Sequence, residues 1–233
     1  MAGDIIRDIR DNYARRSKRY DPWDPWMMRV RAGVEWCAAR ALLRAGMLPP
    51  GERSLLDIGC GVGSSLLFFM QLGYLPKRLS GIDLLEDRVA IARSRLPMEA
   101  RVEASEASRY GAPSESFDVV FCSMLFSSVL DGRLRQQIAD NMWRMVKPGG
   151  GVLWYDFTWN NPANPDVRGV PVGEIRRLFP EGCLRHSRVT LAPPIGRPLG
   201  RYCPPLYGLV NLLPMMRTHV MAWISKPPDA ASR

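Results

Sequence analysis

The sequence predicts an α/β fold: a doubly wound, mostly parallel sheet with helices on both faces. Three stretches predict it. Leu55-Leu56-Asp57-Ile58-Gly59-Cys60-Gly61-Val62-Gly63-Ser64-Ser65 reads as a strand, a glycine turn and the start of a helix. Leu79 to Asp83 is a second short apolar strand that ends in an acid, and Phe117 to Ser123 is a third. A chain of 233 residues with a hydrophobic fraction of 46% suits one such domain with decorations.

The first strand lies between Pro49-Pro50-Gly51 and Gly59, the setting of a parallel strand covered on both faces. Ser64 or Ser65 is placed to cap the following helix, and Leu66 to Met70 supply its apolar face. The glycine spacing is Asp-x-Gly-x-Gly-x-Gly, not the Gly-x-Gly-x-x-Gly of a dinucleotide site. Glycines there let a ligand approach the main chain closely; a purely structural turn, or a nucleotide site of another kind, is the alternative.

Asp57 to Gly63 resembles the first motif of the class I S-adenosylmethionine-dependent methyltransferases. The resemblance implies that Gly59, Cys60, Gly61 and Gly63 pass under the amino-acid part of that cofactor, with Asp57 helping to hold its ammonium group. Asp83, 20 residues beyond Gly63, matches the second motif. A carboxylate at a strand end has two acceptor oxygens for two ribose hydroxyls, and Leu84 would then lie against adenine. Asp83 also suits an N-cap for a helix from Glu86 to Leu96, which is compatible with the ligand role. Ser105-Glu106-Ala107, after a strand from Ala100 to Ala104, stands where the family carries Gly-Asp-Ala. By resemblance Glu106 reaches the adenine amino group and the Ala107 amide a ring nitrogen; Glu103 is the neighbouring alternative.

Phe117 to Ser123 and the Lys147-Pro148-Gly149-Gly150 turn are further family features, and the first brings Ser123 to the cofactor crevice. The turn also has a structural explanation, ending a helix from Asp131 to Val146 and reversing the chain before a strand at Val152 to Phe157. That helix turns Leu134, Ile138, Met142 and Met145 inward. Family members often carry histidines after the fourth strand; here Ser127-Ser128 occupies that place.

Before the core, Asp4 to Arg19 has a broken helical pattern, and Tyr20-Asp21-Pro22-Trp23-Asp24-Pro25-Trp26 follows, with two prolines that block regular helix. A helix spans Val30 to Ala45. Residues 1–50 thus form an N-terminal helical arm or lid, with Tyr20 and Trp23 as candidates for the substrate wall; an aromatic surface arm is the alternative. Residues 51–157 form the cofactor core. Residues 158–233 form a substrate cap and the last strands of the same sheet: a short helix at Val172 to Phe179, a strand at Gly182 to Leu191, and a strand at Thr218 to Ser225. The resemblance implies seven strands with an antiparallel edge hairpin, and it makes the proline-rich stretch from Pro193 to Leu213 an insertion in that hairpin. A short apolar helix is placed at Tyr207 to Leu213.

Formal charge is +9, and Arg168 to Arg217 holds eight arginines against Glu174 and Glu181, a local net of +6. Arginine pairs well with phosphate and carboxylate. The bias points to an anionic acceptor, an anionic membrane surface or nucleic acid; a solvated basic face and genomic base composition are the plainer explanations. Arg197 and Arg201 are the candidate acceptor contacts. Nucleic acid lacks its motifs here: no Asn/Asp-Pro-Pro-Tyr/Phe, no Pro-Cys pair, no appended RNA module. No apolar run approaches the ~20 residues that span a bilayer. The five scattered cysteines form no Cys-x-x-Cys pair, so neither a disulfide framework nor a metal site is expected, and a reducing cytoplasm is.

The expected chemistry is O-methylation of a small-molecule or glycan acceptor, including a lipid-linked or phosphorylated sugar. A quinone or natural-product phenol, a nucleic acid, and a non-catalytic cofactor-binding protein are the alternatives. An oxygen nucleophile needs its proton removed. Asp156 at a strand end is the first candidate base and His219 the second. The oligomeric state has no sequence signal.

Overall fold

A computed structural model describes residues 23–160 and 164–228. In chain order the elements are α1 Pro25–Arg44, β1 Leu55–Ile58, α2 Ser64–Gln71, β2 Leu79–Asp83, α3 Glu86–Arg95, β3 Arg101–Ala104 and β4 Phe117–Ser123. They continue as α4 Gly132–Met145, β5 Val146–Phe157, α5 Val172–Leu178, β6 Cys183–Leu191, α6 Pro193–Tyr202, α7 Pro204–Val210 and β7 Arg217–Ser225. The seven strands form one sheet in the order β3-β2-β1-β4-β5-β7-β6. Strands β1 to β5 pair parallel, and β7 runs antiparallel between β5 and β6. The expected sheet and hairpin are therefore present.

Side chains alternate across the pleat, so each strand feeds two cores. Leu56, Ile58, Val120, Val152 and Trp154 meet Ile138 and Met142 of α4 and Ile175 of α5. Leu55, Val119, Phe121, Leu153 and Trp223 meet Ala38 and Leu42 of α1, Leu66 and Phe69 of α2, and Val89 of α3. Burying each large aliphatic side chain contributes about 1.5–3 kcal/mol, so both layers are needed to hold the sheet flat against water.

Four local expectations are corrected. Helix α1 starts at Pro25, five residues before the expected Val30, because Asp24 caps it by accepting from the Trp26 and Met27 amides. Pro25 falls in the first turn, where its missing N–H costs nothing, so that proline starts a helix and does not block one. This helix packs in the sheet's covering layer, with Ala38 and Leu42 in its core. Helix α2 has no serine cap; left-handed Gly63 holds the N-cap position. The Pro193-to-Leu213 insertion is more helical than expected: α6 presses onto α1, with Gly196 and Gly200 against Trp26. A Cβ on Gly196 would lie 2.5 Å from the Trp26 indole nitrogen, so the Gly-x-x-x-Gly spacing seats the helix.

The Lys147–Gly151 run lies inside β5, at a shift in register between Phe117↔Val146 and Val119↔Gly151. Gly149 is left-handed, with φ +77°. A Cβ on Gly150 would sit 2.5 Å from the Asp118 carbonyl oxygen, and one on Gly151 2.5 Å from the Trp223 ring. Glycine is needed here for close approach of backbone as well as for turning. Gly150→Ala is expected to lower unfolding free energy by about 1–3 kcal/mol in chemical denaturation, since main chain must shift to admit a methyl group. Gly132→Ala, in open space at the start of α4, is expected to be neutral or slightly stabilising in the same measurement.

Candidate active site

The carboxyl ends of β1, β2, β3 and β4 converge on one edge of the sheet, the edge where open α/β sheets bind ligands. Gly59, Gly61 and Gly63 take φ of +79°, +55° and +80°, a left-handed series that side chains resist. The loop is pinned to β2. The Gly59 and Cys60 amides both donate to the Ile82 carbonyl, at 2.8 and 2.9 Å. The Gly61 amide donates to Asp83 Oδ2 at 2.8 Å, and the Leu85 amide to Asp83 Oδ1 at 3.0 Å. Each carboxylate oxygen keeps a further lone pair. Leu85, not Asp83, holds the N-cap position of α3. Leu84, between Asp83 and Leu85, is half-buried.

The Ser105 amide donates to the Asp83 carbonyl at 2.9 Å, which brings the end of β3 beside the acid. Glu106 follows, half-buried, accepting from the Ser108 hydroxyl at 2.5 Å. The Ala107 carbonyl accepts from Asn141 at 2.8 Å, which fixes that turn to α4. Cys60 is buried with its sulfur close beneath Gly81, so any ligand contact there belongs to its backbone. Burial and the neighbouring carboxylates keep its thiol protonated. The Arg88 guanidinium, missed at the sequence level, comes within 2.7 Å of where a Gly61 Cβ would be.

Asp57 is 1% exposed, and its Oδ2 has no hydrogen-bond partner among the described residues. Burial, then the charge of Asp83, pushes its carboxyl up to about 8, while the Ser65 hydroxyl partly offsets this. A buried carboxylate oxygen without a donor is costly, and a cationic donor would relieve it. The residues present fit an ammonium-bearing nucleoside: an orphaned acceptor, a side-chain-free loop, and a second carboxylate at the end of the next strand.

Next to this loop, Met124 adopts φ +55° directly after Ser123, with its amide donating to the Tyr155 carbonyl at 2.8 Å. Left-handed backbone at a non-glycine is strained, and such strain gathers at functional sites. Sequence reading missed it because nothing in a methionine signals it. Ser123 itself is half-buried.

The two candidate bases differ in setting. Asp156 is buried and already engaged: it accepts from the Ser127 amide at 2.9 Å and the Phe157 amide at 2.9 Å. Burial pushes its carboxyl up to about 6, against the lowering effect of Ser127, Phe157 and Arg135. Arg135, fully buried, donates to the Val129 carbonyl and to Glu174 Oε1, both at 2.6 Å, and Arg168 joins the same carboxylate at 2.7 Å. His219 lies on β7 opposite Phe157, its ring stacked on Tyr155 with centroids 5.3 Å apart. Its Nδ1 is 3.1 Å from the Thr218 hydroxyl, and burial lowers its pKa to about 4. The imidazole is therefore neutral near pH 7. The Tyr155 and Thr190 hydroxyls are 2.8 Å apart beside it.

Of the candidate acceptor residues, Arg197 and Arg201 lie on α6, where it packs against Trp26. Tyr20 lies outside the described residues. Trp23 is 79% exposed. The Arg197 guanidinium stacks 5.1 Å above the Trp26 ring, and that of Arg201 5.6 Å from the Tyr202 ring, both exposed. Among the described residues no group of three or more metal-ligating side chains comes together, and no helix is long and apolar enough to cross a membrane.

Residues 55–150 match the model of a methyltransferase domain. A tRNA N(3)-methylcytidine methyltransferase of Drosophila melanogaster is 27% identical over 112 residues, covering 45% of this chain and 34% of that protein. A 2-methyl-6-phytyl-1,4-hydroquinone methyltransferase of Synechocystis sp. is 32% identical over 128 residues, covering 54% of this chain and 36% of that one. The match thus spans about a third of these curated relatives. Among solved structures, a possible histamine N-methyltransferase of Thermotoga maritima superposes with a TM-score of 0.61 at 16% identity, covering 94% of this chain and 98% of that one. Residues 55–150 are thus similar to a methyltransferase domain, and the fold is that of the solved class I methyltransferases. That class uses S-adenosylmethionine.

The Asp57 carboxyl ionises readily in an unfolded chain and resists ionisation when folded. Its contribution to stability is therefore present below about pH 4 and lost as pH rises through about 8. Asp57→Asn removes that loss. In urea titrations of the ligand-free protein, the stability of the variant relative to wild type is expected to rise by about 1–4 kcal/mol between pH 5 and pH 8. A pH-independent difference would contradict the assignment.

Proposed function

We propose that this protein transfers a methyl group from S-adenosylmethionine to an oxygen of a small-molecule or glycan acceptor. The observation that carries the reading is the unpartnered Asp57 oxygen beneath a left-handed glycine loop tied to Asp83. When bound, the cofactor supplies an electrophilic methyl carbon on a sulfonium.

In this reading Asp57 pairs with the ammonium, and Gly59, Cys60, Gly61 and Gly63 present backbone to the amino-acid part. Asp83 accepts from the ribose hydroxyls through the lone pairs its two amide partners leave free. Leu84, Glu106 and Ala107 line the adenine, and Ser123 closes the crevice toward the acceptor. Alignment and exclusion of water are the chain's main work, an effect of roughly 7–11 kcal/mol in well-ordered sites. Neutral His219 takes the acceptor proton, since its free ring nitrogen is not committed to the Thr218 contact. Asp156, with both oxygens on amides, shapes the Ser127 turn and is the weaker candidate.

An anionic acceptor is supported by the basic residues: no Asp or Glu occurs from residue 182 to 228, whereas Arg185, Arg188, Arg197, Arg201, Arg217 and Lys226 do. Phosphate or carboxylate on the acceptor matches them. A hydroquinone is the second reading, favoured by the substrate in the name of the Synechocystis relative. A nucleic-acid acceptor has the support of the Drosophila relative's name and the basic charge, without a nucleic-acid motif in this chain.

Isothermal titration is expected to show S-adenosylhomocysteine binding by the wild type. Gly61→Arg abolishes it, because a side chain at φ +55° collides with Arg88 and fills the loop. Asp83→Ala weakens it by about tenfold or more, a cost of about 1.4 kcal/mol. Absence of binding by a folded wild type, confirmed by circular dichroism, would overturn the proposal. With radiolabelled cofactor, transfer to tRNA but to neither phosphorylated sugars nor hydroquinones would replace the acceptor reading.

A further inference from the structure

The insertion between β6 and β7 has two unlike faces. Its inner face is packed: Tyr207 is buried with Trp26 and Leu191, and Ile195, Leu199 and Val210 lean on them. Arg217 braces its return, donating to the Asn211 carbonyl and to the Arg188 carbonyl. Its outer face is apolar and bare. Leu209 is 64% exposed, Leu212 69% and Met215 76%, with Tyr202, Leu206 and Leu213 exposed beside them. Single exposed leucines are ordinary; six large apolar side chains within 14 consecutive residues are not.

The surroundings decide what would cover this face. The acid-free run from residue 182 to 228 contains the whole insertion and its flanking strands. Arg185 projects from the exposed part of β6, and Arg197 and Arg201 from α6. A second copy docking by two-fold symmetry would press these like charges together. An anionic lipid surface attracts them, and leucine, methionine and tyrosine side chains gain by entering the interfacial layer. Arginine stems lie along such a layer while their heads stay with phosphates.

The topology also fixes where this face stands. β6 runs parallel to β5, so the Leu191 end of β6 shares the sheet edge with Phe157 and the glycine loop. We propose that the α6–α7 insertion is an interfacial membrane-docking element, seating this protein on an anionic bilayer with the cofactor edge of its sheet beside the lipid. This stands on exposure and charge and is independent of the reaction assigned above.

The test is co-sedimentation of the full chain with vesicles of phosphatidylglycerol and phosphatidylcholine. Binding is expected to phosphatidylglycerol-containing vesicles, weakened about tenfold or more with phosphatidylcholine alone or at high salt. Leu209→Glu with Leu212→Glu is expected to reduce it about tenfold or more while leaving homocysteine-nucleoside binding and melting temperature unchanged, since both side chains point to solvent. Failure of wild type to sediment with anionic vesicles, or equal binding by the double variant, would overturn the proposal. So would a wild-type dimer in sedimentation velocity that the same substitutions dissociate. Cofactor binding is read separately, so loss of one conclusion leaves the other standing.

Discussion

The 2.8 Å hydrogen bond from the Gly61 amide to Asp83 ties two neighbouring strands at the point where both end. The glycine loop has no side chains of its own to hold it. Its shape comes from three donations to the end of β2, two to Ile82 and one to Asp83. Asp83 in turn fixes the Leu85 amide and, through its carbonyl, the Ser105 amide. One acidic residue therefore sets the loop after β1, the entry to α3 and the exit from β3. The ends of three strands become a rigid rim before any ligand arrives, which is what positioning chemistry requires.

Charge is arranged around that rim with opposite effects at its two ends. Under the loop, burial favours the neutral form of Asp57; across the sheet, burial favours the neutral form of His219. Neither holds full charge in the ligand-free protein near neutral pH. Asp57 meets a cation under the cofactor reading, and His219 meets a proton. Arg135, by contrast, stays buried and paired with Glu174 and with backbone carbonyls, bracing the turn behind Asp156. Arg135 is fully partnered, whereas the Asp57 oxygen is placed where a ligand would complete it.

Much of the fold was legible because local signals agreed with the global one. Strands β1, β2 and β4 are short apolar runs ended by an acid, glycine or serine, and their limits match the expected ones almost to the residue. The start of α1 is not legible because Pro25 reads as a breaker, whereas the Asp24 cap makes it a first-turn residue. Helix α6 is not legible and α7 is displaced by three residues because their prolines obscure the pattern, while the stabilising contact, glycines against Trp26, is 170 residues away in sequence for Gly196. At the site, the glycines and both acids carry chemistry visible in composition and spacing. Arg88, Met124 and the Tyr155–Thr190 pair do not, since their places depend on backbone strain and on packing between distant strands. Of the two proposed bases, Asp156 is suggested by its place at a strand end and His219 by being one of two histidines in the chain. Neither signal reveals that Asp156 spends its oxygens on amides.

Strand β7, the last in sequence, fills the gap between β5 and β6. During synthesis the parallel portion can assemble while β5 still presents an unpaired edge, and β6 has no neighbour until residues 217–225 emerge. An uncovered edge invites pairing with other chains. The nascent protein thus remains vulnerable to self-association until residues 217–225 leave the ribosome, and β7 acts as the closing stave that ends this exposure.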